Sequence, residues 1–269
     1  MSSEVPRLSP TIARHIVTCP AKAYLHHRYL GNVHTETTDA MTRGKLFERL
    51  ITGYEAEHIF CVDAPDWRTK AAREARDEAI TNGQIPILVH QFSELEEKAR
   101  IIREKIEARV DHWTKGEDQV RIEWESDGVS CSGVLDRLYL AEHEYRIFDL
   151  KSTKTADPDY MDRIWTMNGM DVQEAAYVEA VESICGKAGS GRGWMLFIAY
   201  ETSPPYCVTP LRTGGDVREL GRRKWARAKQ LWKQCTESGV WPEYVPVDAY
   251  HLVGARPWEL EAYGIDGAT

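Results

Sequence analysis

The stretch GVLDRLYLAEHEYRIFDLKST (residues 133–153) holds two apolar, strand-like runs joined by AEHE, and each run carries one aspartate. If AEHE closes a hairpin symmetrically, Leu140 pairs with Tyr145 and paired residue numbers sum to 285. Asp136 then falls opposite Asp149, and Val134 opposite Lys151. Directly opposed residues on one face have Cβ atoms about 4.5–5.5 Å apart. Asp149 and Lys151 share that face, because side chains alternate with a period of two. Two like charges so close destabilise a sheet. Either one acid holds a proton or a cation joins the pair. Lys151 supplies one positive charge. A divalent ion supplies two, and carboxylate oxygens suit a hard ion such as Mg²⁺ or Mn²⁺. On these three residues alone, a solvated salt-bridge cluster on an open sheet face explains the pattern equally well.

The chain around this stretch has 269 residues, 42% hydrophobic and 28% charged, as in ordinary globular proteins. It carries 34 basic and 42 acidic residues, a net charge of −8. That excludes general nucleic-acid binding, so any DNA contact needs a local basic surface. No apolar run approaches the length of a membrane span. The first residues, MSSEVPRLSPTIARH, lack the apolar core of a signal peptide, and a cytoplasmic setting is expected. Six cysteines (Cys19, Cys61, Cys131, Cys185, Cys207, Cys235) form no C-x-x-C pair, which speaks for free, mostly buried thiols and against zinc or iron–sulfur sites.

Periodicity places one or two helices in residues 11–30 and a helix at 41–54 with Phe47, Leu50, Ile51 and Tyr54 on its apolar face. Two charged amphipathic helices are expected at 66–81 and 92–113. Strands follow at 119–126, 129–140 and 145–152, the first two joined by an Asp-Gly turn. A helix at 170–185 would bury Met170, Gln173, Tyr177, Ala180, Val181 and Ile184. GWMLFIAYE (193–201) reads as a buried strand, 206–211 as its neighbour, 216–236 as a long helix and the tail as irregular. The order predicts one α/β domain with a mixed central sheet and helices on both sides. Its core would span about 40–211, after a helical part at 10–40.

Asp136 on one strand and Asp149-x-Lys151 on the next resemble the core of the PD-(D/E)xK nucleases. RGKLFERL (43–50) is similar to the family's first-helix motif, through Gly44 and Glu48. DVQEAAYVEA (171–180) resembles the Gln-x-x-x-Tyr helix of the RecB-like branch, through Gln173 and Tyr177. DWRTKAAREARDEA (66–79), YETSPPYCVTPL (200–211) and ELGRRKWARAKQLWKQCTESGVWPEY (219–244) resemble RecE-type exonucleases, the exonuclease VIII group. The likeness runs from about residue 10 to 245. It departs at Glu48, where RecE-type sequences usually carry His, a change that reads as a ligand swap.

The resemblance implies a Mg²⁺-dependent DNA exonuclease, with Mn²⁺ as a substitute, that degrades the 5′-ended strand of linear duplex DNA and leaves 3′ tails. It implies a ring-shaped homo-oligomer, a RecT-like single-strand annealing partner and a phage or prophage recombination setting. The metal ligands would be Asp136, Asp149, Glu48 and the Leu150 backbone carbonyl. Lys151 would orient or deprotonate the attacking water, and Gln173 would brace the site. Each residue has a plainer alternative. Glu48 could pair with Arg49, Gln173 could be satisfied by backbone, and Tyr177 could be packing. Glu123, opposite Ser132 across the Asp-Gly turn, reads better as a solvated edge residue than as an extra site acid. Lys154, Arg163 and Tyr177 are candidates to contact DNA, the first two by gripping its phosphates. Residues 212–233 carry eight basic side chains against two acidic ones, a DNA-facing surface, a subunit contact or a solvated helix face. His26 and His27 receive no role. Two other readings stay open: a different RecB-like nuclease, endonucleolytic or acting on single strands, and a non-catalytic DNA-end-binding protein. The iron–sulfur branch is disfavoured by the missing cysteine cluster.

Overall fold

The computed structural model describes residues 6–31, 39–53, 58–185 and 193–265. Tyr54, expected on the third helix, lies outside them. In chain order the elements are α1 (Pro10–Thr18), α2 (Pro20–His26), α3 (Asp39–Thr52), β1 (Ile59–Val62), α4 (Lys70–Thr81), β2 (Ile85–Leu88), α5 (Val89–Glu107), β3 (Glu117–Ser126), β4 (Val129–Leu140), β5 (Tyr145–Thr153), α6 (Pro158–Ile164), α7 (Met170–Ile184), β6 (Gly193–Glu201), β7 (Val208–Leu211), α8 (Gly215–Ser238) and α9 (Pro257–Ala262).

Local chemistry sets the ends. Ser9 caps α1 by accepting from the Ile12 N–H, and Pro10 fits the first turn. Thr69 caps α4 in the same way, so this helix starts later than its amphipathic pattern suggests. Tyr206 has a left-handed φ of 57°, which delays the last strand to Val208. Asp127 and Gly128, with φ of 53° and 73°, form the two-residue turn between β3 and β4. Ser126 therefore pairs with Val129, and Glu123 with Ser132, as the turn predicts.

The strands form a five-stranded sheet in sequence order, β3 to β7. β5 and β6 run parallel, across a connection through α6 and α7, and the other neighbours are antiparallel. The sheet is thus mixed, with helices on both faces. One face packs on α1, α7 and α8 through residues such as Ile147, Phe197, Val172, Ile16 and Trp225. The other packs on α3 and α5 through Phe148, Leu150, Ile198, Phe47, Ile51 and Ile102. A small satellite of β1, β2 and α4, with Val62, Leu88 and Ala72, was not anticipated. Ile184 is 56% exposed, against the expectation that it lies on the buried stripe of α7. Only three of the six cysteines are buried; Cys61 and Cys207 are exposed. Among the described residues no helix is long and apolar enough to cross a membrane.

Candidate active site

The predicted hairpin register holds from Leu140–Tyr145 to Arg137–Phe148. The β4–β5 ladder stops there, one step before the two aspartates. On the other side of β4, pairing passes from Asp118–Arg137 to Val120–Leu135, and the skipped residue Gln119 has a left-handed φ of 52°. The alternation of faces slips at the same point. Leu135 and Leu138 both pack on the α7 side, whereas Arg137 and Tyr139 pack on the α5 side. Asp136 therefore sits at a break in the pleat, where β4 leaves β5. The two acids are not ladder partners, nor are Val134 and Lys151, which corrects the direct opposition expected from the loop. Instead the Leu150 N–H donates to Asp136 Oδ2 at 2.9 Å. A carboxylate has taken the place of a strand carbonyl.

Past the break, β4 needs another neighbour. Leu8 provides it, with its N–H donating to the Ser130 carbonyl and its carbonyl accepting from the Ser132 N–H. This brings the start of α1 to the wedge between β4 and β5. α7 fills the wedge from below. Gln173 Nε2 donates to Asp149 Oδ1 at 2.5 Å, and Tyr177 Oη donates to the Val134 carbonyl at 2.9 Å. Tyr177 lies so close to β4 that a Cβ at Gly133 would meet its ring at 2.5 Å. Only glycine fits there. Arg137, buried at 7% exposure, donates to the carbonyls of Trp113 and Thr52 and pairs with Asp118. It thereby ties the end of α3, the helix of Glu48, to the strand of Asp136.

The electrostatics follow from three acids around one lysine. Asp149 is 3% exposed, and its Oδ2 meets only the Lys151 ammonium. Burial, and then the charge of Asp149, holds the Asp136 carboxyl well above the usual carboxylate range. The Leu150 N–H and Lys151 pull it back only in part. Burial and then Asp149 also raise Glu48. Burial disfavours the Lys151 charge, but attraction from Asp149, Asp136 and Glu48 outweighs it and holds the ammonium above its usual range. As placed, Lys151 pairs with Asp149 and neutralises part of the acid charge.

A cleft of about 320 Å³ opens over this group, lined by Lys151, Gln173, Tyr177, Thr11, Arg14 and Gly169 among others. Arg14 donates to the Asn168 carbonyl at 3.0 Å and lies across Gly169, where a Cβ would meet its side chain at 2.7 Å. Sequence reasoning missed Thr11 and Arg14, because no motif marks them and α1 reaches the site only through the Leu8 bridge. Lys154 and Arg163 are exposed and do not line this cleft. A Cβ at Gly44 would meet nothing within 4 Å, so α3 makes no close approach there. α3 is instead anchored by Phe47 and Ile51. Glu123 pairs with Arg7 at 2.9 Å, is 61% exposed, and stays away from the acids.

A family description, the PD-(D/E)XK nuclease superfamily, matches residues 7–245. The chain belongs to this superfamily. A crystal structure of a "putative exonuclease" from Eubacterium rectale aligns over 96% of this chain and 92% of its own, at 12% identity and a TM-score of 0.55, and shares the fold. A structure of SSO0001 aligns over 76% of this chain and 90% of its own, at 12% identity and a TM-score of 0.28, too low to carry weight. No curated protein sequence matches.

PD-(D/E)XK nucleases generally use divalent metal ions, and the donors here fit one in kind. Asp136 and Asp149 bring hard oxygens into a buried pocket that one lysine neutralises only in part. Among the described residues no three His, Cys, Asp or Glu side chains already stand at metal-binding spacing. Glu48 interacts electrostatically with the pair but does not complete such a group. At Leu150, the polar contact made with the pair runs through its N–H. A small hard cation keeps several waters and needs only one or two carboxylates.

Proposed function

We infer that the chain is a Mg²⁺-dependent deoxyribonuclease, with Mn²⁺ as a substitute, acting on linear duplex DNA from an end. The observation that carries this reading is the break in β4, which gathers Asp136, Asp149 and Lys151 under α7 within electrostatic reach of Glu48. When bound, the metal would polarise the scissile phosphate and acidify a water. Asp136 and Asp149 would hold it, with the Leu150 carbonyl and Glu48 as further donors. Lys151 would offset the charge that builds on the phosphoryl oxygens. Gln173 would fix the Asp149 carboxylate through its 2.5 Å hydrogen bond. Tyr177 would keep α7 in contact with β4 through the Val134 carbonyl.

The finer reading is removal of the 5′-ended strand to leave 3′ tails for recombination. The motif likeness to RecE-type enzymes supports it. On the same likeness we place the enzyme in a phage or prophage setting in the host cytoplasm. It would act as a ring-shaped homo-oligomer that passes tails to a RecT-like annealing protein. Digestion of linear duplex labelled at the 5′ or 3′ end tests this, with Mg²⁺ or EDTA and with wild type or Lys151→Ala. The expected result is loss of activity with EDTA and with Lys151→Ala, and early release of the 5′ label. Activity that survives EDTA or the substitution overturns the mechanism. Early release of the 3′ label overturns the polarity, and cutting of closed circles overturns the need for an end.

A further inference from the structure

We propose that a single nucleic-acid strand runs between the acids and the outer end of β3–β4 through a second cleft, held by Arg28 and Arg121. This rests on the nuclease reading above and adds the route of one strand. The second cleft has a volume of about 440 Å³ and shares Pro10, Thr11 and Tyr177 with the first. The two spaces therefore abut, with the Tyr177 ring as a common wall. The floor is the β3–β4 ribbon at Arg121, Ser132 and Val134, and the far wall is the end of α2.

The charge of this groove is opposite to that of the chain. The second cleft has three arginines, Arg7, Arg28 and Arg121, and one acid, Glu123. Arg7 is engaged with Glu123 at 2.9 Å, so the acid is already matched. Arg28 and Arg121 are exposed and are left to meet a ligand's charge. The first cleft adds Arg14 and Lys151, with no acid in its lining. In a chain of net charge −8, a basic run that leads to a buried acid pair marks a path for a polyanion. Arg28 lies over the Tyr29 ring, with its guanidinium carbon 4.4 Å from the centroid, and Tyr29 is 43% exposed. Cations beside an exposed aromatic face are the means by which proteins hold one strand without reading its sequence. Clefts of a few hundred Å³ admit the backbone of one strand, not a duplex.

α8 had been the rival surface, and its charges are largely spent. Lys229 is 4% exposed and bound to Glu179, Lys224 is bound to Asp171, and Arg218 to Glu174. Arg223 pairs with Glu219.

The test is fluorescence anisotropy of a labelled twelve-residue oligothymidylate in EDTA, across a salt series. It compares wild type with Arg28→Gln/Arg121→Gln and with Arg222→Gln/Arg227→Gln on α8. We expect the groove variant to bind about tenfold more weakly. Its slope of log affinity against log salt should shrink by about 1.4, the loss of two single-strand phosphate contacts. The α8 variant should match wild type. Unchanged affinity and slope in the groove variant, or a larger change in the α8 variant, overturns the proposal. All four substituted side chains are exposed, and matching circular dichroism confirms folding. Binding in EDTA needs no turnover, so strand binding without nuclease activity and nuclease activity without groove dependence are separate results.

Discussion

Two sets of acids lie inside this molecule, and their partners differ. On α7, Asp171, Glu174 and Glu179 each meet a cation from α8: Lys224 at 2.7 Å, Arg218 at 3.3 Å and Lys229 at 2.8 Å. At the break in β4, Asp136, Asp149 and Glu48 share Lys151. The first set is three acids for three cations, and it locks two helices together. The second is three acids around one central lysine, with the exposed Lys45 adding its charge at Glu48, and burial makes that deficit costly. A matched set serves the fold. An unmatched set calls for a cation from outside, at the expense of stability while it is absent.

The comparison can be broken in four ways, from the largest effect down. Asp149→Asn should lower nuclease activity about a thousandfold while the protein stays folded, as removal of a group that acts on transition-state charge does; end-labelled digestion and thermal melting check both halves. Lys224→Met should do the reverse. It strands the buried Asp171 carboxylate and should cost about 3 kcal/mol of stability, a fall in Tm of about 6–12 °C, with activity per folded molecule retained. Loss of activity without loss of stability would erase the distinction between the two sets. Gln173→Ala should cost about tenfold in activity, because it frees the Asp149 carboxylate without removing it.

The smallest effect has a sign that depends on pH. The Asp136 carboxyl is raised from its free value of 3.8. Between the free and folded values the native protein binds the proton that the unfolded chain has lost, so stability falls as pH rises through that window. Without metal, Asp136→Asn should therefore match wild type near pH 4. It should become more stable by about 1 kcal/mol as pH rises past the folded value, since its amide oxygen can still accept from Leu150. Denaturant midpoints in EDTA at several pH values measure this. A gap that shrinks with rising pH would show that burial and Asp149 do not raise the Asp136 carboxyl.

Much of this was legible beforehand because it is local. A four-residue loop and an Asp-Gly turn determine the register of three strands, and an unbroken apolar run marks β6. The break at Asp136 was not legible, because Gln119 is not a residue that announces left-handed backbone. The matched acids were hidden for another reason. Asp171 and Glu174 look like the polar face of an amphipathic helix, and their cations lie 53 and 44 residues away. α7 is covered by α1, α8 and the sheet, so its polar face is buried too. β1 and β2, four residues each, are too short to show a period.

The hydrogen bond from Leu150 to Asp136 ties the history of the activity to the history of the fold. A descendant that no longer cut nucleic acid could shed Lys151 together with Asp149, since each balances the other's buried charge. It could not shed the oxygen at position 136 without orphaning a strand N–H, at a cost of about 1–3 kcal/mol. Retired copies of this enzyme should therefore keep Asp or Asn at 136 long after the lysine is gone. Among such copies, position 151 reports whether the enzyme works, and position 136 reports whether it folds.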